Sequence, residues 1–350
     1  MAQGSFSLEI LNTIRNQASL EYQERIPEAT LDNLASIGRT FSQYNLQYNE
    51  FITNLFTRVG LSLINSKSFK NKLAKFKSGS IMDMKDVEEI WVDEFRTAEG
   101  TYDKEGGVGE GGIHPFKRRD PQEVTVFYHR MNYKAKYVVT IYKDDIIRCF
   151  NNVNLLDSYI AKQFNALYTG SEYDEWLMMK QLLASAVKNE DMFYYPVPTL
   201  KDADTAKTFI KTVKKAVSDL GYVDTRFNPA GVKTMSNPSE LVLFIQKDIP
   251  ITIDVDLYSQ IFGPNYAKMN IEVIELDNFG DLTNDSNTCA ILCDKDWFKV
   301  WDNKRELTQL YNPEGLYTNF WLHVWQTQSY SKFKNAVRFG FEDPATATTA

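Results

Sequence analysis

Apolar residues recur every three or four positions through about the first sixty residues. Leu8, Leu11 and Ile14 share one helical face, and after Pro27 a longer stripe runs through Leu31, Leu34, Ile37, Phe41, Tyr44, Tyr48, Phe51, Leu55 and Val59. Steps of three and four fall on one side of a 3.6-residue helix, so this region predicts amphipathic helices. The period then changes. Apolar runs at 90–92, 124–128 and 136–141 predict strands, and between the first two lies a glycine-rich stretch at 106–112. Strands around a glycine-rich tip read as a β-arm leaving the body of the protein.

Two helices are predicted next. Leu156, Tyr159, Ile160, Phe164 and Leu167 mark the first, and Trp176, Met179, Leu183 and Val187 the second. Glu172, Asp174 and Glu175 stand at the start of the second and Lys188 at its end, which suits the helix dipole. Pro196 and Pro198 punctuate a boundary. Asp204 or Thr205 then caps a helix whose apolar side carries Phe209, Ile210, Val213, Ala216, Val217 and Leu220, with Gly221 placed just past its C-terminus. Strands are predicted at 241–245, 251–257, 269–276, 289–293, 298–301 and 320–325. The order of elements is α+β with mixed or antiparallel strands, without regular βαβ alternation.

Composition narrows the class. At 350 residues with 43% hydrophobic side chains, the chain can fill two or three cores. Its net charge of −7 argues against bulk attraction to nucleic acid. Three scattered cysteines, at 149, 289 and 293, do not make a disulfide framework and suggest a reducing cytoplasm. The first residues lack the pattern of a secretory leader, and no apolar run reaches membrane-spanning length.

Candidate chemistry is sparse. Asp254 and Asp256 share a strand face, as a metal or acid–base pair would, yet with Ile253, Val255 and Leu257 turned inward they read as the wet face of a strand. Cys289 and Cys293 lie on one strand face but lack further ligands, since the histidines at 114, 129 and 323 are far apart; buried packing is the simpler reading. The glycines at 106–112 have no following Lys-Ser or Lys-Thr, so they do not form a phosphate loop. Lys207, Lys211, Lys214 and Lys215 follow helical spacing and suit either phosphate or water. A basic segment at 67–77 and the Lys117, Arg118, Arg119 triplet each sit near an acidic stretch. Separated patches of opposite sign suit self-association in a fixed register, or simply solvated loops.

Four of the six tryptophans (297, 301, 321 and 325) fall in a closing segment with no nucleophile beside a base. That segment resembles the major capsid protein of the phi29-like podophages. The matching positions are 294–298, Asp302, Asn303, Asn312, Pro313, 315–317, 323–327, Ser331, Phe333, 335–337 and Phe339. Further likeness appears at 51–53, 58–61, 75–77 and 87–90, and is weakest from about 190 to 240.

The resemblance implies the Hong Kong-97-type tailed-phage capsid fold, an α+β fold with an N-terminal arm, an extended β-hairpin loop, a spine helix and an axial domain. On this chain it implies an arm at 1–66, the extended loop at 67–142, and a peripheral domain with its spine helix at 143–200. The axial domain would take 201–319, and 320–350 would give the returning peripheral strand and tail. The tryptophans would join the two domains. Relatives can carry an added immunoglobulin-like domain, which this sequence is expected to lack. The implied function is a head protein that self-assembles through pentamers and hexamers into an icosahedral or prolate shell. Its implied partners are other copies, a scaffolding protein, a portal and non-specifically held double-stranded DNA, without membrane, cofactor or metal. Assembly would take place in the host cytoplasm. Candidate contacts between subunits are Lys72, Lys75, Gly107, Gly109, Lys117, Arg118 and Arg119. The alternatives are a ring-forming head–tail or tail protein, and a metal-dependent hydrolase built on Asp254, Asp256 and His323.

Overall fold

The computed structural model describes residues 4–59, 69–81, 86–93, 124–150, 153–200, 203–247, 249, 271–279 and 287–341. Four helices come first: α1 (Gly4–Gln17), α2 (Leu20–Arg25), α3 (Leu34–Gln43) and α4 (Asn45–Val59). Then follow β1 (Gly79–Ser80), β2 (Val87–Val92), β3 (Val124–His129), β4 (Tyr133–Tyr142), α5 (Lys143–Cys149) and α6 (Val153–Lys188). The remainder is β5 (Phe193–Val197), α7 (Ala203–Leu220), β6 (Leu241–Gln246), β7 (Glu272–Leu276), β8 (Thr288–Asp294), β9 (Phe298–Asn312), β10 (Tyr317–Tyr330) and β11 (Ala336–Phe341). These residues form two compact units. The first comprises Met1–Ala74, Tyr133–Trp176 and Asp302–Gln326, and the second Lys75–Asn132, Leu177–Trp301 and Thr327–Ala350. α6, β9 and β10 each contribute residues to both.

The first unit has an aromatic hub. The Phe41 ring lies 4.8 Å from Phe51 and 5.2 Å from Phe150, with Tyr22 and Tyr48 further out, all within the range in which aromatic pairs attract. Leu34, Ile37, Phe41, Phe51 and Leu55 are buried, as the stripe predicts. The stripe is nevertheless two helices, because Tyr44 is extended (φ −120°, ψ 102°) and ends α3. Gly38 permits a close approach, since a Cβ there would stand 2.8 Å from Phe150 Cβ. The connection after α2 is held by side chains. Asn12 both donates to Ala29 O and accepts from Ala29 N, and Arg15 donates to Ile26 O at 2.8 Å. The inner side of β10 presents Phe320, Leu322 and Val324 to the same core.

In the second unit five strands run in the order β5-β11-β8-β6-β7. β8 and β11 are antiparallel, as are β6 and β8, while the outer pairs β11–β5 and β6–β7 are parallel. All seven residues of β8 are buried, and so are the first five of β6. Such unbroken apolar runs mark strands covered on both faces. Leu241, Leu243 and Ile245 pack in a core with Phe209, Val213, Ala216 and Leu220 of α7. The alternate residue Phe244 turns to the other face, where Phe76 and Phe298 stack at 5.9 Å and Phe244 meets both edge-on.

Two local expectations are corrected. The two helices expected between 156 and 187 are one 36-residue helix, α6. Glu172, Asp174 and Glu175 are therefore mid-helix, where Asp174 accepts from Tyr137 and Glu175 from Asn71 and Gln326. Gly221 does follow Leu220, but it is not among the positive-φ glycines, and its N–H turns back to Ser218 O. The strand expected at 251–257 lies outside the described residues.

Candidate subunit interface

β2 and β3 form a two-stranded antiparallel ribbon in the second unit, with Ile90 opposite Val126 and Val92 opposite Val124. Alternation along a strand sends neighbouring side chains to opposite faces. One face carries Glu89, Trp91, Phe127 and His129, and it is anchored. Trp91 stacks on Phe333 at 6.0 Å, Phe127 meets the same ring edge-on at 5.2 Å, and His129 lies against Trp301 at 5.6 Å.

A polar lock completes the anchor. His129 Nε2 is 3.1 Å from Glu89 Oε2, and His129 Nδ1 is 2.7 Å from Ser329 Oγ. Ser331 Oγ donates to Glu89 Oε1 at 2.7 Å, and Lys299 Nζ stands 3.3 Å from the same oxygen. Burial alone would raise the Glu89 pKa, but the hydrogen bonds from His129 and Ser331 and the charge of Lys299 outweigh it. The carboxyl is held below its ordinary value. At the ribbon's base, Asn132 donates to Gln328 O at 2.8 Å and accepts from Gln328 N at 2.9 Å.

The other face is exposed among the described residues. Ile90 is 56% exposed, Val124 55% and Tyr128 55%, with Val92 and Val126 beside them. Five apolar side chains out of six on one face is unusual for a surface strand. Large exposed apolar patches mark contact sites, and a two-stranded ribbon is marginal in water by itself. Next to β2 lies a cleft of about 530 Å³, whose lining includes Ile90, Lys233, Met235, Asp294, Asp296 and Lys334. Burial raises the Asp294 pKa despite a hydrogen bond from the Asn335 amide at 3.0 Å.

Of the contact residues expected from sequence, Gly107, Gly109, Lys117, Arg118 and Arg119 lie outside the described residues, as do Asp254 and Asp256. Lys72 is exposed. Lys75 is ion-paired to Glu272 within its own chain, so a neighbour must compete for it. Much of the acidic stretch is also engaged internally: Asp86 pairs with Arg130 at 3.0 Å and Asp93 with Lys233 at 3.7 Å. The candidate chemistry is not brought together. His323 is 3.1 Å from Thr308 Oγ1. Cys289 and Cys293 are buried in β8, where desolvation pushes the Cys289 thiol up to about 12 and also holds the Cys293 thiol above its ordinary value. No group of three His, Cys, Asp or Glu able to hold a metal occurs among the described residues. The Glu89–His129–Ser329 chain has residue types that hydrolases use. Its imidazole is buried, however, and the Ser329 hydroxyl is also 3.2 Å from Lys299 O. Sequence reasoning missed this lock because its members lie 40 and 200 residues apart.

The family model for the phi29-like phage major capsid protein matches residues 11–340, including the stretch at 190–240. The chain belongs to the phi29-like major capsid protein family. It is 33% identical to the major capsid protein of Bacillus phage B103, covering 98% of this chain and 75% of that protein. It is 34% identical to that of Bacillus phage PZA, over 95% and 72%. The capsid protein of Streptococcus phage Cp-1 is 25% identical and is covered over 95% of its length. Among solved structures, the capsid of Staphylococcus phage Andhra matches with a TM-score of 0.63 at 11% identity, over 81% of this chain and 87% of that one. The capsid of cyanophage P-SCSP1u matches with 0.51 at 10% identity, over 81% and 91%. The fold is accordingly that of tailed-phage capsids, the Hong Kong-97 type. The protein is a structural subunit of a phage head built from many copies, and its place is the virion capsid.

Proposed function

We propose that this capsid protein closes a shell through pentamers and hexamers around double-stranded DNA, and that it does so without catalysis. The observation that carries this reading is the two-sided ribbon. One face is locked to its own unit by an aromatic clamp and a polar network around Glu89, while the other offers apolar area that no described residue covers. A shell subunit needs that division, because the ribbon must keep its aim before its partner arrives. Assembly in the host cytoplasm, with a scaffolding protein and a portal as partners, belongs to the same proposal. The glycines at 107 and 109 would then let one loop serve five-fold and six-fold positions, because glycine tolerates backbone angles that other residues avoid.

Electron microscopy of the purified protein, with and without scaffold, tests the proposal. Closed shells are expected from the native chain. Soluble, folded subunits that form no shells are expected from Ile90→Ser with Val126→Ser. Rings in place of shells would favour a head–tail role. Normal shells from the double variant would remove the ribbon face as the contact.

A further inference from the structure

A second exposed face lies in the first unit, and its character is opposite to that of the ribbon. β4 pairs antiparallel with β10, placing Lys134 opposite Trp325, Lys136 opposite His323 and Val138 opposite Trp321. The alternate residues of β10 (Phe320, Leu322 and Val324) are buried in the core, so Trp321, His323 and Trp325 share the outer side with the exposed Lys134 and Lys136. Lys134 Nζ stands 4.8 Å from the Trp325 ring centroid, and Lys304 Nζ of β9 stands 5.1 Å from it. A cation held over an indole is fixed in place without losing its charge. Among the described residues, the carboxylates at this end are Glu306, paired with Lys304, and Asp302, which accepts from Gln326 at 2.7 Å. Among the described residues neither Lys134 nor Lys136 has a carboxylate partner. Among the described residues, three lysines against Glu306 and Asp302 leave this end net positive on a chain of net −7.

We propose that this end of the sheet, centred on Lys134, Lys136 and Trp325, is the surface that meets the phosphates of the packaged duplex. The inference rests on the capsid reading and adds to it a location. Charge complementarity selects a polyanion as the occupant, since the patch is basic on an acidic protein and its ammonium groups are already spaced by the indole. Phosphate contact of this kind carries no sequence information, which suits a genome packed in every register. The far end of the same face, with Val138, Tyr142 and Leu310 exposed, is apolar and offers nothing to phosphate.

The test is binding of a short fluorescent duplex to the purified full chain across a salt series. Lys134→Ala with Lys136→Ala is compared with Lys211→Ala and Lys215→Ala, which remove equal charge from the exposed side of α7. Each lysine that neutralises a phosphate contributes about 0.9 to the slope of log K against log salt. The sheet pair should therefore reduce the slope by about 1.8, the α7 pair should leave it nearly unchanged, and Lys134→Gln with Lys136→Gln should match the alanine pair. An unchanged slope in the sheet pair, or a reduced slope in the α7 pair instead, overturns the proposal, as does a native chain that fails to bind duplex at low salt. Microscopy of the same proteins separates the two readings. If the sheet pair is folded but forms no shells while the native chain does, the face is a contact between copies and the proposal falls. If the native chain forms no shells yet shows the slope change, the shell reading fails and the anion surface stands.

Discussion

β2 and β8 are strands of nearly equal length, six residues and seven, with opposite fates. β8 is bracketed by β6 and β11, and all seven of its residues are buried. Among the described residues β2 has a single strand partner, and it turns every second side chain outward. Apolar composition does not separate them, because Ile90, Val92, Val124 and Val126 would suit a core. What differs is whether described residues cover both faces. A strand covered on both faces serves folding; under the proposed reading, one covered on a single face serves assembly.

Truncation should break this contrast most visibly. Phe244→Ala empties the face shared by Phe76 and Phe298 and should cost about 3–5 kcal/mol in urea unfolding. If it costs as little as a surface change, the second core is not where the structure puts it. Next is the lock. Glu89→Gln removes the acceptor of a charged network and should cost about 1.5–3 kcal/mol. The Glu89 pKa is lowered in the folded state, so its stabilisation is present at neutral pH and fades as pH falls through the lowered value. The native chain should therefore lose stability in acid along a steeper limb than Glu89→Gln, as read by unfolding midpoints at stepped pH. Parallel curves would mean that Glu89 does not hold the ribbon. Gly38→Ala should cost about 1–3 kcal/mol by driving a methyl into Phe150; an unchanged midpoint would show that α3 can shift at no cost. The smallest effect on stability belongs to Ile90→Ser with Val126→Ser, within about 0.5 kcal/mol per site, even though the same pair should abolish shells. A large loss of monomer stability there would mean that the outer face is already covered.

Most elements were legible because periodicity reports burial. The apolar runs at 90–92 and 124–128 found the strands of the ribbon, and the run Phe209, Val213, Ala216 and Leu220 found α7. α6 was misread because Glu172, Asp174 and Glu175 imitate a fresh helix start, although only Gly170 interrupts the run before them. Glycine in a helix interior costs only about 1 kcal/mol against alanine. Asp174 and Glu175 are there for Tyr137, Asn71 and Gln326, which no local pattern can reveal. The interface was half legible. The arm could be seen, and the basic residues near it drew attention because charge is conspicuous in a sequence. The bare apolar face could not be told from a core face, since Ile90 and Phe244 look alike until their neighbours are known. His129 was invisible as a lock for the same reason: Glu89, Ser329 and Trp301 reach it only through folding.

The bare side of the ribbon also has a kinetic meaning. Free subunits carry the same net charge of −7 and repel one another at long range, while the apolar ribbon attracts only at contact. Repulsion between such surfaces weakens over a Debye length of about 8 Å at physiological salt. Together they form a threshold. With the ribbon as the proposed contact, dilute subunits should stay apart, and the protein concentration at which shells first appear should fall as ionic strength rises.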